Sequence, residues 1–203
     1  MAISTYAELQ TAVSNWLARS DLTSRIPEFI SLAEARINRK LRIRQQESSA
    51  SLSITAGTRT AAVPSDFREV RRLYLDTSPI THLEYMTPQD YWTRYVGSNT
   101  GKPSVFTLEG GNFLFGPIPD TAYTGKLAYY PSFPALSSSA HSVFVANPDL
   151  YLYGSLVAAE GLMKNDKRIG LWKAQFDEAM MELEKESRAS PGPLRIRDDY
   201  NPQ

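Results

Sequence analysis

The amino-acid sequence predicts a mixed α+β fold: an α-helical bundle formed by the N- and C-terminal helices, with an inserted small antiparallel β domain and an extended C-terminal arm. Apolar residues recur at helical spacing towards both ends of the chain, and they alternate at strand spacing in its middle third. Prolines near the C-terminus do not allow the last helix to continue. We therefore expect a helical hairpin over 1–47, the β domain over 48–140, the C-terminal helices over 141–189 and the arm over 190–203.

The N-terminal hairpin is predicted from caps and apolar stripes. Thr5 and Glu8 match a capping box, in which each side chain satisfies the backbone N–H of the other residue. Pro27 suits the first turn of a second helix. The link between the two helices is short, so they should pack as an antiparallel pair. The apolar stripes of the two helices are Tyr6, Leu9, Val13, Trp16 and Leu17, then Ile26, Phe29, Ile30, Ala33, Ile37 and Leu41.

The middle of the chain reads as short strands. The stretches "SASLSIT", "VRRLYLDT", "SPITHLE" and "GKLAYYP" have the composition and alternation of strands. Thr87 and Pro88 predict the start of a short helix between them, as N-cap and first residue. Gly110 and Gly111 supply the positive φ that a tight hairpin turn requires.

Two further helices are predicted after a Ser-rich link. Asn147 and Pro148 mark the start of one, as cap and first residue. The last helix runs from about residue 167 to 189. We expect the core of the bundle to include Trp16, Phe29, Ile37, Trp172, Phe176 and Leu183.

Motifs that carry catalytic chemistry are missing from the sequence. The chain has no cysteine, which excludes disulfides and thiolate metal sites. It holds neither a G-x-S-x-G elbow nor a glycine-rich phosphate-binding motif. We interpret His82 as a structural or exposed residue and expect His141, in the Ser-rich link, to be exposed. The carboxylates of Asp198 and Asp199 lie in a proline-flanked tail that gives a metal no rigid support. We interpret Glu182, Glu184 and Glu186 as a solvated helix face. We therefore predict no enzymatic activity, no metal and no cofactor.

The charge balance and the hydropathy of the sequence argue against two further classes, dedicated nucleic-acid binders and membrane proteins. Lys+Arg and Asp+Glu balance at 22 each, whereas a dedicated nucleic-acid binder usually shows a basic excess. No apolar run approaches the roughly 20 residues that span a bilayer, and the N-terminus lacks the pattern of a signal peptide. We expect an intracellular protein with no membrane contact.

The strongest charge feature is a basic cluster near the end of the second helix. Cations there offset the helix dipole. The cluster is open to three interpretations: a solvated helix end, a contact between subunits, or a phosphate contact. For the subunit contact, Glu182 and Glu186 are the acidic partners we expect. The cluster consists of Arg36, Arg39, Lys40, Arg42 and Arg44.

Aromatic residues make up 11% of the chain and concentrate in a few segments, among them "LAYYP", "FLFG" and "YMTPQDYW". Those beside prolines in loops suit a partner surface. This favours an assembly protein. The alternative is a β module that binds carbohydrate or nucleic acid, with the aromatic rings as stacking platforms.

The order of several motifs resembles the head-to-tail adaptor proteins of short-tailed bacteriophages. They are a loop with Phe115 followed by Pro117 and Pro119, a strand that ends in Tyr129–Tyr130, the "LYLYGSLVAAE" helix and a W-x-x-x-F helix with Trp172 and Phe176. The N-terminal "TYAELQTAVSNWLARSDLTSR" also resembles the opening of such proteins. The resemblance spans nearly the whole chain. One departure is Phe115, where the family more often has tryptophan.

The resemblance implies a structural virion protein. Such adaptors form a dodecameric ring under the portal, connect the capsid to the tail or nozzle protein below, and let the genomic DNA pass without reading its sequence. The ring would lie at the head–tail interface of the virion and assemble in the host cytoplasm. The family also implies that the C-terminal arm binds the portal protein. The alternating "LRIR" could then add as a strand to a sheet edge of the portal. The expected arm residues are Leu194, Arg195, Ile196, Arg197 and Tyr200.

Overall fold

The computed structural model describes residues 3–162 and 167–188, and these residues form a mixed α+β structure, as predicted. The helices are α1 (Tyr6–Leu17), α2 (Ile26–Lys40), α3 (Pro88–Arg94), α4 (Ser142–Ala146), α5 (Pro148–Ala158) and α6 (Ile169–Arg188). Short 3-10 helices span Ser20–Arg25, Arg44–Gln46 and Ala159–Leu162. The strands are β1 (Ser48–Ile54), β2 (Thr60–Ala62), β3 (Phe67–Leu75), β4 (Thr81–His82), β5 (Glu84–Tyr85), β6 (Thr100–Gly101), β7 (Val105–Glu109), β8 (Asn112–Gly116), β9 (Ile118–Pro119) and β10 (Tyr123–Pro131).

The chain divides into two compact units. Among the described residues, one unit is helical and combines residues 3–45, 135–162 and 167–188, and the other is Gln46–Pro134 and holds the strands with α3.

Local interactions fix the start of α1 as the sequence predicts. The Thr5 hydroxyl accepts from the N–H of Glu8 at 3.2 Å, and the Glu8 carboxylate accepts from the N–H of Thr5 at 2.9 Å. The same carboxylate also accepts from the N–H of Ser4 at 2.8 Å. This satisfies N–H groups that have no partner within a helix. The capping box is therefore confirmed.

The core of the helical unit forms where α2, α5 and α6 pack together. Phe29, Ile37, Trp172, Phe176 and Leu183 are all buried there, as predicted. Helix α5 lies close to both α2 and α6 at Gly154. A Cβ added to Gly154 would lie 3.0 Å from the Phe176 ring and 3.1 Å from the Cβ of Ala33. A side chain at position 154 would therefore require the Phe176 ring or Ala33 to shift by a few tenths of an ångström.

The prediction that Trp16 belongs to the core is wrong. Trp16 is 45% exposed, because α1 buries Leu9, Val13 and Leu17 instead. Its ring packs edge-on against Tyr153, with the ring centroids 5.8 Å apart.

Asn147 is the N-cap of α5 and Pro148 its first residue, as predicted, but the Asn147 side chain makes no hydrogen bond to that helix. Its amide instead donates to the carbonyl of Val143 at 3.2 Å and so satisfies the end of α4.

The strands of the second unit form two four-stranded sheets and one pair. Their orders are β1-β10-β3-β4, β2-β8-β7-β5 and β6-β9. Most pairs are antiparallel, but β5 pairs with β7 and β6 with β9 in parallel, a departure from the antiparallel unit predicted. The chain leaves β5, passes through α3 and returns to β7 in the same direction, and such a crossover produces parallel pairing.

The core of the β unit is built from the inward side of these strands. The predicted tight turn joins β7 to β8, with Gly110 at φ 56° and Gly111 at φ 75° between the paired Glu109 and Asn112. Phe115 is fully buried in this core. Its other large members are Leu52, Ile54, Leu73, Leu75, Phe106, Phe113, Leu127 and Tyr129.

Candidate assembly surfaces

The basic cluster is divided between structural and exposed side chains. Arg42 lies beyond the end of α2, and its guanidinium donates to the carbonyls of Asn38 at 3.0 Å and Leu41 at 2.7 Å. These contacts satisfy carbonyls at the helix end that have no partner within the helix. The guanidinium carbon of Arg36 lies 6.0 Å from the centroid of the Phe176 ring. Arg36 and Arg42 therefore make their contacts within their own helical unit.

The remaining members of the cluster face solvent. Arg39 and Lys40 are exposed in the last turn of α2, where their charges oppose the negative end of the helix dipole. Arg44 is also exposed, and its backbone N–H donates to the Ser187 hydroxyl at 2.7 Å. The residues at 39, 40 and 44 are therefore the part of the cluster that a second chain could reach.

The acidic partners predicted on α6 line a groove within the helical unit. Glu182 and Glu186 are exposed and share one side of α6 with Ala179 and Leu183, because residues three and four apart lie on the same face. A cavity of about 370 Å³ lies beside this face. It is lined by Ile43, Gln45, Ser142, Val143, Ala146, Asn147, Leu183 and Glu186. A second, smaller cavity adjoins it and is lined by Asn147, Asp149, Ala179, Glu182, Leu183 and Glu186. We call the two cavities together the α6 groove.

The structure brings parts of the two predicted charge groups together in one chain. Ile43 and Gln45 line the same cavity as Glu186, and Arg44 lies between them in sequence. The predicted arm residues, Leu194, Arg195, Ile196, Arg197 and Tyr200, lie outside the described residues.

An exposed aromatic site occurs in the β unit. Trp92 on α3 is 40% exposed, and its ring nitrogen donates to the Glu109 carboxylate at 2.8 Å. The Arg59 guanidinium carbon lies 5.4 Å from the centroid of the Trp92 ring and is held by the carbonyls of Tyr95 and Gly97, at 2.6 and 2.7 Å. Tryptophan and arginine are the residues most enriched at the energetic centres of protein interfaces. This pair is a candidate partner surface.

Two half-buried polar side chains make structural contacts that the sequence did not predict. His141, expected to be exposed, is half-buried, and burial lowers its pKa. Its ring accepts from the N–H of Phe144 at 3.3 Å and lies 3.2 Å from the Tyr151 hydroxyl, so it caps α4. Glu34 accepts from the N–H of Leu136 at 2.6 Å, and burial raises the pKa of its carboxyl. Neither contact was visible in sequence, because histidine is not among the preferred N-cap residues and Leu136 lies far from Glu34 in the chain.

Metal sites and membrane spans are absent from the described residues. Within residues 3–162 and 167–188, no group of His, Cys, Asp and Glu could hold a metal ion. In that same part of the chain, no helix is long and apolar enough to span a membrane. The surfaces that the structure does present, a groove with an acidic wall and an aromatic–arginine pair, are typical of proteins that bind other polypeptides.

A comparison with models of protein families identifies the family of this chain. The family model described as SU10 adaptor protein matches residues 4–197, and the chain belongs to this family. The resemblance to phage head-to-tail adaptors is confirmed. No curated protein matches the chain. Membership makes the protein a structural adaptor of a bacteriophage, a component of the virion that connects with portal and tail components. It implies a non-enzymatic role.

Proposed function

We propose that this chain forms a dodecameric ring under the portal, joins the capsid to the tail or nozzle protein below, and lets the genomic DNA pass through its lumen. The observation that carries the proposal is the family match over residues 4–197. The balance of 22 basic and 22 acidic residues supports it, because a channel with no net charge does not hold DNA through its phosphates.

The contact between neighbouring subunits uses the exposed part of the basic cluster on one copy and Glu182 and Glu186 on the next. What supports this is the exposure of Arg39, Lys40 and both glutamates. A single exposed ion pair contributes only about 0–1 kcal/mol. A closed ring repeats the contact at every interface, so these small contributions add up over the assembly.

The arm, residues 190–203, binds the portal. Its alternating "LRIR" supports addition to a sheet edge, where Leu194 and Ile196 would face one way and Arg195 and Arg197 the other. Tyr200 would anchor the end of the arm.

Native mass spectrometry of the purified chain, with and without purified portal, tests the proposal. The expected result is a portal complex that gains a dodecamer of 22.7-kDa chains. A portal that gains no chains, or a different number, would overturn it. DNA passage is tested separately by cryo-electron microscopy of filled virions, which should show DNA density along the axis of the ring.

A further inference from the structure

The α6 groove has an apolar floor and an acidic wall. Ile43, Val143 and Leu183 are 1%, 4% and 5% exposed, so the floor is part of the packed core. Glu182 and Glu186 form an acidic wall on α6, and Asp149 lies at the far end of the groove. On the other side, Ile43 and Gln45 line the groove. Within the described residues, no ion pair neutralises these three carboxylates. Such a groove suits an extended peptide with alternating apolar and basic residues.

We infer that this groove is the docking site of the chain's own C-terminal segment, Leu194–Asp199, before the arm engages another protein. Distance supports the choice. α6 ends at Arg188, and Leu183 on the groove floor lies only about 7.5 Å back along the helix axis, at 1.5 Å per residue. The residues from 188 to 194 can span roughly 20 Å. The segment can therefore reach the groove of the same subunit.

The sequence of the link supports a reversal of direction. "SPGP", residues 190–193, places Pro191 before Gly192, the pair that a type II β-turn prefers at its two central positions. A turn there would send the following residues back along α6. A straight continuation would instead carry them away from the unit.

The docking segment matches the groove in side-chain chemistry. Leu194 and Ile196 are two aliphatic side chains on one side of an extended chain, and the cavity of about 370 Å³ is of the size that takes a few such groups. Arg195 and Arg197 carry the charge that the acidic wall of α6 attracts.

Docking would hold the arm on its own subunit. Because a short tether gives an effective concentration on the order of mM, even a weak site is partly filled. A portal would then bind the arm with an apparent affinity reduced by the fraction of free arms. This consequence rests on the proposed function, whereas the docking itself does not.

Disulfide trapping tests the docking on the full-length chain, which has no cysteine of its own. One variant carries Ala146→Cys, which lines the groove, together with Ile196→Cys. The matched control carries Val145→Cys, 51% exposed and outside the groove lining, with the same Ile196→Cys. A disulfide requires Cα atoms within about 7 Å. We expect the groove pair to close several-fold faster than the control, in the monomer and independently of protein concentration.

The outcomes separate the alternatives. Equal rates for the two pairs would show an undocked tail and overturn the inference. Disulfide-linked dimers would assign the groove to the tail of a second copy and overturn it as well. Glu182→Lys with Glu186→Lys should slow the groove pair, Arg195→Glu with Arg197→Glu should slow it too, and the two changes together should restore it. Lack of restoration would overturn the charge pairing. All readouts use the protein alone, so their failure leaves the portal proposal standing, and failure of the reduced protein to bind portal leaves the docking standing.

Discussion

Replacement of Trp172 by alanine should destabilise the helical unit by about 3–5 kcal/mol. Trp172 is 2% exposed and lies on α6, which packs against α5. A buried aromatic side chain removes roughly 150–250 Å² from water, which corresponds to about 4–6 kcal/mol at ~25 cal/mol per Å². Alanine retains part of this burial, and large-to-small substitutions at aromatic core sites cost about 3–5 kcal/mol. The substitution also removes the contact with Arg168, whose guanidinium carbon lies 5.0 Å from the ring centroid.

Urea unfolding followed by circular dichroism at 222 nm measures this loss, because most helical residues belong to the helical unit. With an m-value of roughly 1–3 kcal/mol/M, the midpoint of that unit should fall by more than about 1 M. The matched control is Leu171→Ala, at the adjacent position on α6 and 61% exposed. Its expected change is within about 0.5 kcal/mol. Equal midpoints for Trp172→Ala and the wild type would refute the packing described for this face of α6.

Four further changes test other features of the structure and of the proposed assembly. Gly154→Val should cost about 1–3 kcal/mol by overpacking, since even a Cβ lies 3.0 Å from the Phe176 ring; an unchanged urea midpoint would contradict this close approach. Arg39→Glu with Lys40→Glu should impair ring formation on the portal far more than folding, and normal rings in electron micrographs would exclude a role in subunit contacts. Deletion of 190–203 should weaken portal attachment and leave the melting temperature nearly unchanged, whereas loss of folding would make the arm part of the core. Hydrogen bonds from Ser4 and Thr5 lower the pKa of Glu8 from 4.5 to about 2, so its contribution to stability is present above pH 4.5 and is lost as the pH falls towards 2; Glu8→Gln should reduce this acid sensitivity, measured as melting temperature against pH.

Features set by neighbours in sequence could be predicted, and features set by tertiary contacts could not. The capping box of α1, the start of α3 at Pro88 and the turn at Gly110–Gly111 depend on local backbone chemistry, and all three are confirmed. The parallel pairing of β5 with β7 depends on the path of the chain through α3, which alternation does not encode. Trp16 lies next to Leu17 on the helix, and periodicity alone does not decide which of the two points to the core.

The distinction between local and tertiary features also explains which parts of the candidate surfaces could be predicted from the sequence. A cluster of cations is visible in sequence, but the caps and ring contacts that engage Arg36 and Arg42 depend on where the helix ends and on what packs against it. The α6 groove combines the segment 43–45, α4 and the second half of α6, which are far apart in the chain. No local sequence pattern predicts such a site. Its acidic wall could be read as a solvated helix face, and only the fold places an apolar floor beside it.

Glu182 and Glu186 take part in both proposals, and this shared use makes the two contacts mutually exclusive. A tail docked in the groove covers the carboxylates that a neighbouring subunit would contact through Arg39 and Lys40. Conversely, a neighbour that binds these carboxylates displaces the tail and frees it for the portal. Free subunits would therefore resist association with each other, whereas a portal that captures one arm exposes the acidic wall for the next subunit. Under both proposals, the disulfide of the Ala146→Cys, Ile196→Cys variant should form readily in free chains and much more slowly in portal-bound rings. Equal trapping in the two states would mean that the tail and the neighbour do not compete for this wall.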